Sequence, residues 1–314
     1  MQINFFLKRL SLFLVFACCC YILLLAVFSL NSFKNKVPNL IDMYAPNVRE
    51  AFQEIHDSTN TDILFIGSSH AEFVPIVFKK NGISAINLSI NSLRPSITYY
   101  LLKNELKRSS AKIVVLESYF TLFNEDYLVQ EAALRIMSNE DINLNLTRMA
   151  LTTKNFKVIN SEIGLIINRV LHPLMNEKPS VVLKDTGKNE SPDPSSEFAS
   201  NKPHIRSVSH SAFVYFQECI DLIKEGKKLP LLIMAPVTRE CIHHSWNYSA
   251  ICYSIDSVAK KNGILFINYN DSANYIRIGL DDKKDFVDDN HLTRLGRLKF
   301  SRVVAEDIKQ YHIL

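Results

Sequence analysis

Several features that assign a protein to a class are missing from this 314-residue sequence. There is no long basic run, and 36 basic side chains against 32 acidic ones leave a net charge of only +4. That balance gives no electrostatic footprint for nucleic acid. No CxxC pair occurs. Cys18, Cys19 and Cys20 share one apolar run, and Cys219, Cys241 and Cys252 stand too far apart to make a metal site. Internal repeats are also absent, which leaves out a solenoid. Composition is otherwise ordinary, 47% hydrophobic and 22% charged, so the chain is neither disordered nor fibrous.

What is present begins with an apolar run. Ser11 to Leu30 contains 20 residues without a charge, enough at about 1.5 Å per residue to cross a hydrocarbon core of about 30 Å. A signal peptide has an apolar region of about 7–15 residues and a small-x-small cleavage site. The present run is longer, and "FSLNSF" fits such a site poorly, so a retained anchor is expected. Val15-Phe16-Ala17-Cys18 loosely matches a lipoprotein signal, but the apolar run continues past the cysteine. Lys8 and Arg9 before the span nearly balance Lys34 and Lys36 after it. The short N-terminal tail and large C-terminal body favour a single-pass membrane protein with its body extracytoplasmic.

Beyond a juxtamembrane stretch, 31–61, with one helix ("NVREAFQEIHDS"), strand-like and helix-like segments alternate. The expected strands are 62–66, 83–89, 112–117, 229–235 and 263–269, each a short run rich in Ile, Leu and Val. Such runs suit strands buried on both faces. Five of them with helical connections predict an α/β fold: a three-layer α/β/α domain over 62–314 with a five-stranded, doubly wound parallel sheet. The stretch 118–228 is too long for a simple crossover and reads as a helical insertion. It carries a polar segment, 184–204, with the composition of a mobile loop. A lid beside the strand ends and a peripheral decoration are both open for it. Asn-x-Ser/Thr sequons include those that begin at Asn87, Asn145, Asn189 and Asn247. The first falls on a strand, and all four are read as chance.

In a doubly wound sheet, ligands bind beyond the carboxyl ends of the strands. The first strand ends in "GSSH", Gly67 to His70, and the segment after the last strand contains "DDNHLTRLG". Asp288 and His291 stand three apart, so on one turn the carboxylate can meet Nδ1 and leave Nε2 pointing outward. A serine hydroxyl is a weak nucleophile and needs such a base, itself held by an acid. Each signal alone has a bland reading: "GSS" can be a helix N-cap worth about 1 kcal/mol. Their joint occurrence at both expected loops is the informative observation.

These two blocks resemble those of the SGNH (GDSL-type) hydrolases, over about 62–310 and outside 118–228. The resemblance implies a flavodoxin-like α/β/α fold, with Ser69 as nucleophile, His291 as base and Asp288 as its partner, Asp289 being the fallback. It implies no metal or organic cofactor. The same "GSS" form occurs in membrane-anchored relatives that transfer or remove acyl groups on envelope polymers. A serine esterase or acyltransferase acting on O-acyl groups of envelope or exported polysaccharide is therefore expected. Such a protein would have possible envelope-assembly proteins as partners. A catalytically silent binding or assembly protein is the alternative, and a phosphate-binding flavodoxin-like module a weaker third. The G-x-S-x-G elbow of α/β-hydrolases is absent.

Two departures from the family pattern stand out. Its second-block glycine, a backbone oxyanion donor, aligns with Ser92 in "INLSINSLRP"; its third-block asparagine aligns nearest Tyr119 in "IVVLESYFTLF". Asn91 and Tyr119 are the candidate replacements for the side-chain donor. Glu117, at the end of strand three, is read as anchoring a loop. His70 is read as a surface or second-layer residue, and Arg94 and Arg239 as solvated side chains near the strand ends. His243 and His244, adjacent on a helix, point in different directions and do not make a ligand pair. For Cys241 and Cys252, pairing and free thiols both stand open.

Overall fold

The computed structural model describes residues 2–28, 45–124, 130–141, 143–175 and 207–311. The juxtamembrane residues 29–44, the sequon at Asn189 and the polar segment 184–204 lie outside the described residues. Five parallel strands form one sheet in the order β2-β1-β3-β4-β5: β1 Ile63–Gly67, β2 Ala85–Ser89, β3 Ile113–Glu117, β4 Leu229–Met234 and β5 Phe266–Asn268. This is the doubly wound order in which the chain reverses direction between β1 and β3.

The helices are α1 Gln2–Phe28, α2 Pro46–Asp57, α3 Pro75–Lys80, α4 Pro95–Glu105, α5 Gln130–Asn139 and α6 Leu144–Thr152. They continue with α7 Phe156–Met175, α8 His210–Glu225, α9 Arg239–His244, α10 Tyr248–Asn262, α11 Ser272–Ile278 and α12 Arg294–Gln310. Within α1, Ile3–Val27 is long and apolar enough to cross a membrane, and almost none of it is buried.

Strands β1 and β3 are buried at every position, because helices cover both faces. On one face Leu64, Ile66, Val114 and Leu232 pack with Phe52 of α2, Leu101 of α4 and Phe216 and Ile220 of α8. On the other, Phe65, Val115 and Ile233 pack with Phe78 of α3 and with Phe300 and Val304 of α12. Each such side chain contributes about 1.5–3 kcal/mol on leaving water. The edge strand β2 departs from the expected two-faced burial: it alternates, with only Ile86 and Leu88 buried. An edge has one covered face, and Asn87 and Ser89 instead donate to the carbonyls of Phe73 and Ala71. Those two bonds hold the segment after β1 in place. Between β3 and β4, α8 is the helix that covers the sheet, while α5, α6 and α7 pack outside it against α2, α4 and one another.

Two glycines are set by close approach. A Cβ on Gly67 would lie 2.6 Å from Cβ of Glu117, and one on Gly296 would lie 2.3 Å from the Asp285 carbonyl oxygen. The first lets β1 and β3 end side by side. The second seats the start of α12 against the loop that carries His291.

Candidate active site

Ser69 opens a single turn of 3-10 helix, Ser69–Ala71, directly after β1. Ser68 caps that turn, its hydroxyl accepting from the His70 backbone N–H. His291 lies on the loop before α12, held by a bridge between Phe286 and Leu292 and by donation from the Val287 N–H to its own carbonyl. The helix that follows is capped by Thr293, whose hydroxyl accepts from the Gly296 N–H.

These two loops meet above the sheet. The Ser69 hydroxyl lies 2.9 Å from Nε2 of His291, across 222 positions of sequence. Nδ1 of His291 lies 2.8 Å from one Asp288 carboxylate oxygen and 3.0 Å from the other. Asp288 also accepts from the backbone N–H groups of Asn290 and His291. Burial would raise the Asp288 pKa. The hydrogen bond and charge of His291, with the two backbone donors, outweigh it and hold the carboxyl at about 2. An ionised Asp288 accepts a hydrogen bond from Nδ1–H, which leaves Nε2 without a proton and free to accept from the Ser69 hydroxyl. It is Asp288, not the fallback Asp289, that meets Nδ1; the Asp289 backbone carbonyl accepts from the backbone N–H and hydroxyl of Thr238.

Ser92 sits in a turn closed by donation from the Leu93 N–H to the Ile90 carbonyl, with φ of +59°. A left-handed residue at the third position of a turn is the place where glycine is favoured. The loop demands a positive φ at Ser92, and serine adopts it at a cost of about 1–2 kcal/mol. Ile90 is tied to β1 by donation from its N–H to the Gly67 carbonyl. Among the described residues, the backbone N–H groups of Ser69 and Ser92 make no hydrogen bond. Asn91 reaches Glu131 only at 3.5 Å.

Tyr119 is buried, and its ring stacks on that of His70 at 3.6 Å between centroids. His70 is buried as well, not on the surface, and its other face stacks on His291 at 4.4 Å. Burial, then the charge of His291, lowers the His70 pKa well below the usual histidine range, against smaller opposing effects of Asn290 and Asp288. Its Nδ1 lies 2.8 Å from the Ser68 hydroxyl. Glu117 anchors the same turn: Oε2 accepts from the Ser68 backbone N–H and hydroxyl, both at 2.7 Å. Burial pushes the Glu117 carboxyl up to about 7, against the Ser68 bonds and the charge of His291. The Ser68–His70 contact and this second stack behind His291 escaped sequence reasoning.

The remaining polar candidates take structural places. Arg94 donates to the carbonyls of Leu122 and Asn124, and Arg239 donates to the Asn270 carbonyl while lying over the Tyr275 ring. Both arginines are thus engaged, not solvated. His244 hydrogen-bonds the Glu240 carbonyl within α9. Cys241 and Cys252 do not form a disulfide. Among the described residues, His56, Glu105 and Glu140 form the set with ligand-like spacing. Arg108 already lies 3.0 Å from Glu140 and 3.1 Å from His56, so a guanidinium occupies this cluster, which ties α2 to the ends of α4 and α5.

No known family profile matches the chain, and no curated protein does. Among solved structures it is similar to a GDSL-like lipase from Bacteroides thetaiotaomicron (14% identity, 84% of this chain and 98% of that one, TM-score 0.44). It is similar also to an acylhydrolase described as putative from Bacteroides fragilis (12%, 84% and 94%, TM-score 0.41) and to an acetyl xylan esterase (11%, 80% and 98%, TM-score 0.41). By its sheet order, and by the loops that carry Ser69 and the Asp288–His291 pair, the chain resembles the SGNH (GDSL-type) hydrolases.

Proposed function

We propose that the protein is a membrane-anchored serine esterase or acyltransferase that works through an acyl-Ser69 intermediate. The observation that carries this reading is the 2.9 Å contact between Ser69 and His291, continued at 2.8 Å to Asp288. In the proposed reaction Ser69 Oγ attacks the carbonyl carbon of an ester while its proton passes to Nε2 of His291. Collapse of the tetrahedral species breaks the bond to the alcohol, which takes that proton from His291 and leaves. Water, or a second hydroxyl, then attacks the acyl-serine with His291 again as base, restoring Ser69. Asp288 steadies the imidazolium throughout. The unengaged N–H groups of Ser69 and Ser92 are the backbone donors to the developing oxyanion, with Asn91 and Tyr119 as side-chain candidates.

The span Ile3–Val27 supports anchoring, and in this reading the body lies on the extracytoplasmic face. A tethered site reaches substrates at the membrane surface, which favours O-acyl groups on envelope or exported polysaccharide. Incubating the full chain in detergent with a fluorophosphonate probe tests the chemistry. Labelling of native protein that disappears in Ser69→Ala is the expected result. One observation favours the silent binding or assembly protein instead: the β3 loop from Ser118 to Phe123 offers no asparagine, and a missing oxyanion donor costs about 10²–10³ in rate. Unlabelled native protein would support that second reading.

A further inference from the structure

Behind the Ser69–His291–Asp288 line runs a second chain of buried polar groups that the proposed reaction does not use. Glu117 Oε2 meets the Ser68 hydroxyl at 2.7 Å, the same hydroxyl meets His70 Nδ1 at 2.8 Å, and the His70 ring lies flat on His291. Ser68 has one hydroxyl proton to give. An ionised Glu117 accepts only, so that proton goes to Oε2. His70 must then donate from Nδ1, and its Nε2 is bare. A protonated Glu117 reverses the direction: Oε2–H donates to Ser68, Ser68 donates to Nδ1, and the ring proton sits on Nε2.

We infer that His70 is a positioning residue for His291, and that the ionisation state of Glu117, relayed through Ser68, sets which ring nitrogen of His70 carries its proton. The inference rests on the esterase reading only for its effect on turnover.

Both ends of the chain are built for two states. Glu117 Oε1 is buried without a hydrogen-bond partner, and His70 Nε2 and Asn290 Oδ1 are buried with no partner other than each other's side chain. Asn290 is the neighbour that favours a proton on His70. Its backbone N–H donates to Asp288, so the far end of this hydrogen-bonded chain belongs to the loop that carries Asp288 and His291. With Glu117 protonated, Nε2–H is directed to an acceptor. With Glu117 ionised, Nε2 is itself an acceptor and the Asn290 amide must offer its NH₂ instead. One proton is gained from solvent in passing from the second state to the first, and His70 stays neutral in both.

The groups that face Glu117 leave it free to make this exchange. From the turn after β1 they are Ser68 and His70, and from the loop before α12 the charge of His291. From α4 and α8, Thr98 and Phe216 line the small cavity beside it, and neither titrates. Its carboxyl, held at about 7, changes charge in the physiological range.

Nitrogen-15 histidine spectra of the full chain in detergent micelles read the tautomer directly. The expected result is an Nδ1–H tautomer for His70 at about pH 9 and an Nε2–H tautomer at about pH 5, crossing where Glu117 titrates. In Glu117→Gln the Ser68 N–H still requires the amide oxygen, so His70 is expected to keep Nδ1–H throughout. A native His70 that holds one tautomer across the range, or that titrates to imidazolium there, overturns the inference without any variant. Beyond the acid limb that a histidine base imposes on both proteins, turnover of a p-nitrophenyl ester is expected to show a second step at the Glu117 midpoint in native protein and to lose that second step in Glu117→Gln. A second step unchanged in the variant also overturns it. Absence of all turnover would count against the esterase reading and leave the spectra to decide this one.

Discussion

Glu117→Gln is expected to stabilise the protein above neutral pH and to leave it nearly unchanged in acid. Glu117 is 9% exposed, at the end of a fully buried strand, and only one of its carboxylate oxygens is hydrogen-bonded. Its displacement from an ordinary 4.5 to about 7 corresponds to about 3 kcal/mol. Between those values the folded state holds a proton that the unfolded chain has released. Stability therefore falls as pH rises through this window and stays low above it. Glutamine is uncharged, keeps an acceptor for Ser68 and carries no such loss. Thermal unfolding of native and variant chains at about pH 5 and about pH 8 measures the difference. At roughly 2–4 °C per kcal/mol for a body of this size, the variant's advantage should grow by about 5–10 °C between the two conditions. An offset that does not change with pH, or a variant less stable than native at the higher pH, would refute the reasoning.

Asp288→Asn should lower kcat by several orders of magnitude with little change in KM, because asparagine holds His291 in the wrong tautomer. It should also remove stability that the native chain has near neutrality and loses as pH falls from about 4 toward 2, the range over which the carboxylate protonates; steady-state kinetics and acid unfolding read the two effects. Gly67→Ala sets a Cβ 2.6 Å from Cβ of Glu117, which should cost about 1–3 kcal/mol in chemical denaturation. Ser92→Gly relieves a positive φ and, after glycine's larger entropy loss, should gain about 0.5 kcal/mol. A shift of either midpoint in the opposite direction would contradict the account.

The sheet was legible because buried strands write themselves as uninterrupted Ile, Leu and Val: β1, β3 and β4 fall within a residue of their expected limits. The shorter β5 and the alternating β2 were less so, since edge position is a property of the assembled sheet. Ser69, Asp288 and His291 were legible because the doubly wound order brings the loop after β1 and the loop before α12 to one edge. The Glu117–Ser68–His70 chain was not, because it depends on two strand ends meeting across 49 positions. One signal for it existed. Ile66 pairs in register with Leu116, so the residues that end these strands lie side by side, and a carboxylate closing an apolar run should have been read against "GSSH". The left-handed turn at Ser92 had no signal, because serine does not advertise a positive φ.

The most direct measurement is to incubate the full chain with p-nitrophenyl acetate, quench in acid and locate any acetyl group by peptide mass spectrometry. An acetyl ester on Ser69 that accumulates before release of product stops, and that is missing in His291→Ala, is the predicted result. Turnover that persists in Ser69→Ala, or an acetyl group that settles only on other side chains, would contradict the central claim.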